Sequence, residues 1–213
     1  MTLDNELRMG WLLQSSLFLS LVLTTWLCTF LQYLLILIGC VTSKSTTMLK
    51  DNILKKLNEQ IQLEHYSANL YLAMSSWCKA NGLDGSAKFL YTHSSEEMMH
   101  MHKLFNYINE TGSMALVSDI AAPPADFKDL RDVFEKTFEH EKLVSARINE
   151  LVALTFAEQD FSSFNFLQWY VAEQHEEEAL FLGILDRMDV IGFDGRGLYM
   201  VDKEIGKLTV QQP

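Results

Sequence analysis

The sequence predicts an all-α protein: a four-helix bundle with a long crossover between its second and third helices, and a short fifth helix at the C-terminal end. Three observations carry this prediction. Four long stretches repeat apolar residues at alternating steps of three and four, which draws one continuous stripe down a helix. The connections at 80–85 and 160–163 are short, whereas 112–128 is long and contains Pro123-Pro124. Each of the four stripes also turns polar near its middle, and side chains of that kind are tolerated in a core only where something compensates them.

The first helix is expected over 50–79, with Asp51 or Asn52 near its start and a seam of Leu54, Leu57, Ile61, Glu64, Ala68, Tyr71, Ser75 and Cys78. Asn81-Gly82-Leu83-Asp84-Gly85 is a turn signal, and Ser86 then reads as the cap of a second helix that ends at Thr111-Gly112. Its seam is Leu90, His93, Glu97, His100, Leu104 and Tyr107. The long connection can run the length of a bundle, which would lay the third helix (129–158) parallel to the second. The third seam is Leu130, Phe134, Thr137, Glu141, Val144, Ile148, Leu151 and Thr155. Asp160 to Ser163 forms a short turn with an N-cap. The fourth helix (163–190) follows, with Leu167, Tyr170, Gln174, Glu177, Phe181, Ile184 and Met188 inward. Gly192, Gly195 and Gly197 interrupt the chain before a last helix over 198–208.

The chain has 213 residues, 48% of them hydrophobic, with only 3 Pro, which suits helices with few breaks. Its net charge of −11 argues against nucleic acid as a partner and for cations. Cys28, Cys40 and Cys78 have neither metal-ligand spacing nor a paired framework, so a reducing compartment is expected for the folded part. Residues 1–47 stand apart from the rest. No charge occurs from 9 to 43, and Trp11 to Cys40 is long and apolar enough to span a bilayer. The segment reads as a membrane anchor, a removed signal ending in the lipoprotein-like box Leu37-Ile38-Gly39-Cys40, or an upstream stretch with Met48 as the working start.

The chemistry lies in the polar middles of the seams. Glu97 and His100 are three apart and share one helix face, presenting a carboxylate and an imidazole together. Glu-x-x-His alone is a common accident. Here Glu64, Glu141, Gln174 and Glu177 occupy the same phase on the other three helices, and no Lys or Arg enters the seams. Four buried carboxylates need compensating charge, and two divalent cations supply it. Oxygen donors with one imidazole and no thiolate favour iron or manganese over structural zinc. Glu96, Glu173 and Glu176 fall beside the seams near Glu177, which suggests a third, more exposed cation site. His93 reads as a supporting or core histidine, and His65, His102 and His140 as surface or packing residues. Glu178 and His175 read as a solvated face. Tyr71, next to Glu64 on its seam, is a candidate to hydrogen-bond a ligand and to donate an electron.

These residues resemble bacterial non-haem ferritin from Met48 to the C-terminus. The resemblance rests on Lys56-Leu57-Asn58-Glu59-Gln60, on Glu96-Glu97-Met98-Met99-His100, and on Phe164-Asn165-Phe166-Leu167-Gln168-Trp169-Tyr170-Val171 leading into Glu173-Gln174-His175-Glu176-Glu177-Glu178. It implies a ferritin-like bundle assembled as a homo-oligomeric hollow shell of twenty-four subunits. It implies a two-iron ferroxidase centre at Glu64, Glu97, His100, Glu141, Gln174 and Glu177, with O2 or H2O2 as oxidant, and a third iron site at Glu96, Glu173, Glu176 and Glu177. Tyr71 corresponds to the family's tyrosine beside the centre. No haem is expected, and bacterioferritin is the weaker match because Glu177 is not His. Fe3+ would be stored as a hydrated oxide in the cytoplasm. Residues 1–47 depart from the family, and spanning helices on every subunit of a closed shell could not enter one flat membrane, which favours Met48 as the working N-terminus. Two rival expectations are a non-storage di-metal oxidase, whose rubrerythrin-like form should carry a paired-Cys motif absent here, and a membrane-tethered bundle without mineral.

Overall fold

The computed structural model describes Phe30 and residues 48–208, so the expectations for residues 1–47 and the apolar run within them lie outside the described residues. Five helices follow in order: α1 (Asp51–Ala80), α2 (Asp84–Glu110), α3 (Leu130–Ala157), α4 (Phe161–Ile191) and α5 (Gly195–Leu208). There is no strand among the described residues, and no described helix is long and apolar enough to cross a membrane.

The direction of each helix follows from its connections. A short turn makes α2 antiparallel to α1. Lys50, at the start of α1, reaches Glu158 at the end of α3 at 2.7 Å, so α3 runs against α1 and parallel to α2. The crossover that permits this lies along α1. Asn58 Oδ1 accepts from Leu116 N at 2.7 Å and Gln62 Nε2 donates to the Asp119 carbonyl at 2.6 Å. Arg131 at the start of α3 meets Asp189 near the end of α4, which fixes the last antiparallel pair.

The seams of α3 and α4 bury as expected over their whole length. In α1 the stripe begins on Ile53 rather than Leu54, and in α2 it ends on Ile108 rather than Tyr107. A step of three or four cannot be fixed at a helix end, where one turn has few partners. Tyr107 instead lies half-buried with its ring stacked on Phe166 at 3.8 Å and its hydroxyl 2.8 Å from Ser163 Oγ. Two apolar clusters result. One holds Tyr71, Met74, Phe89, Phe134 and Phe181, the other Ile53, Leu57, Leu104, Ile148 and Leu167. The polar middles of the seams lie between them.

Ser86 does not cap α2, because the helix begins earlier, at Asp84. The exposed amides of that first turn are met from α5. Asp202 accepts from Gly85 N at 2.9 Å, from Ser86 N at 2.8 Å and from Ser86 Oγ at 2.8 Å. A side chain at Gly85 would put its Cβ 2.0 Å from the Asp202 carbonyl oxygen, so only glycine allows α5 this close. The last helix also starts before 198. Asp194 Oδ1 accepts from Gly197 N at 2.6 Å, a cap that offsets the poor helix propensity of two glycines.

Candidate metal centre

Each long helix delivers its polar residues to one layer between the two apolar clusters. α1 supplies Glu64, α2 supplies Glu97 and His100, α3 supplies Glu141, and α4 supplies Gln174 and Glu177. All six are buried, with Glu64 at 0% and Glu177 at 7% exposure bracketing the set. The helical period places them here, since an apolar stripe that faces the core carries whatever residue stands in its phase inward as well.

Ligating atoms of Glu64, Glu97 and His100 lie within 4.8 Å of one another. His100 Nδ1 is 3.5 Å from Glu97 Oε2, the closeness that three-residue spacing predicts. The α2 backbone is pinned beside them by Tyr170, whose hydroxyl donates to the His100 carbonyl at 2.7 Å. Glu64 Oε1 accepts from Gln60 Nε2 at 2.9 Å, while Glu64 Oε2 is buried with no hydrogen-bond partner. Across the layer Glu141 is better met: Tyr71 donates its hydroxyl to Oε1, and Gln174 Nε2 donates to Oε2 at 2.9 Å. Glu177 Oε2, like Glu64 Oε2, has no partner.

Electrostatics follow from burial. Glu64 is held well above the usual carboxylate range by burial and then by the charge of Glu97. Glu97 is raised well above it by burial, then by Glu141 and Glu177. Burial and Glu177 push Glu141 up to about 7. Tyr71 is driven well above the ordinary phenol value by burial and by Glu141, so its hydroxyl stays protonated and a donor. Among the described residues no Lys or Arg forms an ion pair with these carboxylates. The layer is therefore a set of buried acids in which Glu64 Oε2 and Glu177 Oε2 have no hydrogen-bond partner. That donor set fits divalent cations.

A second group stands next to the first. His93, Glu96 and Glu177 also bring ligating atoms within 4.8 Å of one another. Of the acids expected around a third site, Glu96 is half-buried within this group. Glu173 is half-buried and Glu176 exposed, and both stand outside it. Glu173 is raised by its partial burial. His175 is exposed and Glu178 half-buried, as a solvated face would be.

One contributor, Gln60, escaped sequence reasoning. Gln60 lies one turn before Glu64, so its spacing could have flagged it as a donor to that carboxylate. His140 packs inside, 2.8 Å from Ser67 Oγ and edge-on to Tyr71, and burial pushes it down to about 4. Trp169 sets its ring edge-on to His100 at 5.3 Å and carries the Lys103 ammonium over its ring, 4.1 Å from the centroid.

Comparison with known proteins places this geometry in company. The sequence profile of the ferritin-like domain matches residues 54–191. The "probable bacterial non-heme ferritin-like protein" of Haemophilus influenzae is 57% identical over 164 residues, which is 77% of this chain and 99% of that protein. The bacterial non-heme ferritin of Campylobacter jejuni is 52% identical over 78% of this chain and 99% of its own length. Among solved structures, the open pore ferritin of Archaeoglobus fulgidus superposes with a TM-score of 0.72 at 40% identity, covering 74% of this chain and 98% of that one. The Chlorobium tepidum ferritin gives 0.68 at 47% identity, covering 75% and 98%.

Proposed function

The chain belongs to the ferritin-like family, and on that premise we propose that it is an iron-storage ferritin that oxidises its own cargo. Two Fe2+ ions enter the buried layer as substrate. Glu64, Glu97 and His100 hold one, and Glu97, Glu141, Gln174 and Glu177 hold the other. Each ion gives up one electron, dioxygen or peroxide accepts them, and Fe3+ leaves for the interior of a homo-oligomeric shell of twenty-four subunits as hydrated oxide.

One observation carries this reading: buried carboxylate oxygens without hydrogen-bond partners, Glu64 Oε2 and Glu177 Oε2, in a layer where no described Lys or Arg balances the charge. Hard oxygen ligands favour Fe3+ over Fe2+, which lowers the barrier to electron loss. The protein's own groups set the stage for that step. The Tyr71 hydroxyl holds Glu141 by hydrogen bond and sits where it can lend an electron, and Gln174 fixes the other Glu141 oxygen. Stopped-flow oxidation of Fe2+ added under air tests the reading. Wild type should show a fast phase that disappears in both Glu97→Ala and His100→Ala, and wild-type speed in the two variants would defeat the assignment.

The working protein is read as cytoplasmic, with the chain from about Met48 as its functional part. In support, Met48 N donates to the Thr111 carbonyl at 3.1 Å and Leu49 is buried, so both belong to the packed bundle. Intact masses from soluble and membrane fractions of the native host decide this. A membrane species that retains residues 11–40 would overturn it.

A further inference from the structure

The two oxygens of Glu64 are not equivalent. Gln60 lies one turn earlier on α1, is buried at 2% exposure, and donates from Nε2 to Glu64 Oε1 at 2.9 Å. Glu64 Oε2 is buried with no hydrogen-bond partner. One oxygen is therefore held by a neutral amide that the helix puts in place, and the other is bare. The carboxylate on α3 is treated differently. Glu141 has a donor on each oxygen, Tyr71 on Oε1 and Gln174 on Oε2. An oxygen that already accepts an N–H gives up part of its donor capacity, so the bare oxygen of Glu64 is the better ligand atom.

Gln60 also has an outward side. With Leu63, Tyr66, Leu143 and Leu151 it lines a surface cavity of about 370 Å3 between α1, α3 and the crossover. Its side chain is thus the wall between that cavity and the carboxylate. A glutamate can hold an ion through one oxygen or through both. To use both, Glu64 would have to turn its plane and give up the Gln60 bond, which strands a buried amide N–H against an apolar wall. Leaving a buried donor unmet is costly, so the amide selects the pose in which Oε1 stays with Gln60.

We propose that Gln60 is a positioning residue for the ion shared by Glu64, Glu97 and His100: its amide fixes the Glu64 carboxylate so that the ion is bound through Oε2 alone. This rests on the reading of iron as substrate and adds a residue that touches no metal. A carboxylate bound through one oxygen fills one coordination position where a chelating one fills two. The second position is left for the oxidant. Loss of the amide should therefore weaken this one ion and slow its oxidation even at saturating Fe2+. The ion on the Glu141 side should keep its affinity, because Glu141 has donors of its own.

Gln60→Met tests the assignment, since it keeps the length of the side chain and the cavity wall and removes only the donor. Anaerobic calorimetric titration of the metal-free full chain with Co2+ should show one ion weakened by about 10–100-fold, the effect typical of a group that supports a ligand, with the rest unchanged. Unchanged affinity overturns the proposal. So does equal weakening of every ion, which is what a general loosening of the bundle would give. Wild-type crystals soaked with Zn2+ decide the matter even where the variant fails to fold. They should show Glu64 bound through Oε2 with the Gln60 bond intact. Binding through Oε1 or through both oxygens overturns the proposal, as does a soaked crystal with no ion at Glu64. The storage reading fails separately: a wild type that binds metal through Oε2 and oxidises no Fe2+ under air sinks that reading and leaves the role of Gln60 standing.

Discussion

Asp202 and the four central glutamates are both carboxylates in the path of packed helices, yet the chain treats them oppositely. Asp202 accepts three hydrogen bonds from the first turn of α2 and needs no further partner. In the central layer, donors are scarce. Glu141 has Tyr71 and Gln174 and Glu64 has Gln60, but Glu64 Oε2 and Glu177 Oε2 have no donor. An acid near a core is therefore a fastener where backbone amides meet it and a ligand where they do not. Acidity alone does not separate the two roles. The inventory of donors does.

The largest effect that would sharpen this contrast is at Glu97. Glu97→Gln keeps the shape and removes the charge, so the fast phase of Fe2+ oxidation should fall by ~100-fold or more, beyond the 10–100-fold typical for groups that only support a ligand. The same variant should melt no lower than wild type in metal-free buffer, because a buried acid has been relieved of its repulsion from Glu141 and Glu177. A fall in melting temperature with retained oxidation would reverse the roles assigned to the two regions.

The acid dependence of stability comes next. Glu141 is raised to about 7 in the folded chain, chiefly by burial and then by Glu177, while the unfolded side chain keeps its usual value. The folded state thus binds the extra proton. Its contribution is fully present below the unfolded pKa and is lost as pH rises through about 7. Metal-free protein should accordingly melt lower at pH 8 than at pH 5.5, by the equivalent of roughly 2 kcal/mol for this group. Added Zn2+ should remove the difference by taking the proton's place. A metal-free protein that gains stability over that interval would contradict the account of a carboxyl raised by burial and by its acidic neighbour.

Tyr71→Phe is a smaller probe of the same layer. It removes one donor from Glu141 and the phenol that could lend an electron, at nearly constant volume. Oxidation should slow by about 10-fold, the effect expected of a group that orients a ligand. Metal stoichiometry should be unchanged. A loss of a bound ion would instead make the tyrosine essential to assembly of the site.

The central layer was legible in the sequence for a reason that does not extend to Asp202. Glu64, Glu97, His100, Glu141, Gln174 and Glu177 all repeat in phase with apolar neighbours, so burial follows from spacing within one helix. His93 was in phase too, but what it faces depends on the Phe89 carbonyl and on a glutamate from another helix, and spacing does not encode that. The Asp202 fastener is farther still from local reading, since it joins residues 116 and 117 positions apart. Ser86 looked like the cap because a serine just after Gly85 has the local chemistry of one. The backbone instead enters the helix at Asp84, and the serine hydroxyl is spent on Asp202.

Asp202→Ala is the smallest of these tests and the one that isolates the fastener. It leaves the amides of Gly85 and Ser86 without an acceptor at the start of α2, a loss comparable to that of a helix N-cap, about 1 kcal/mol. For a chain of this size that corresponds to a fall in melting temperature of ~2–4 °C. The central layer should not notice, because the ligand residues of α2 lie more than two turns further along, and the fast phase of iron oxidation should keep its wild-type rate. Gly85→Ala should cost more than Asp202→Ala, since its Cβ would press on the Asp202 backbone itself and no side-chain adjustment relieves that contact. If Asp202→Ala slows oxidation as much as Tyr71→Phe does, the end of the bundle and its middle are mechanically coupled, and the fastener sets ligand geometry as well as the docking of α5.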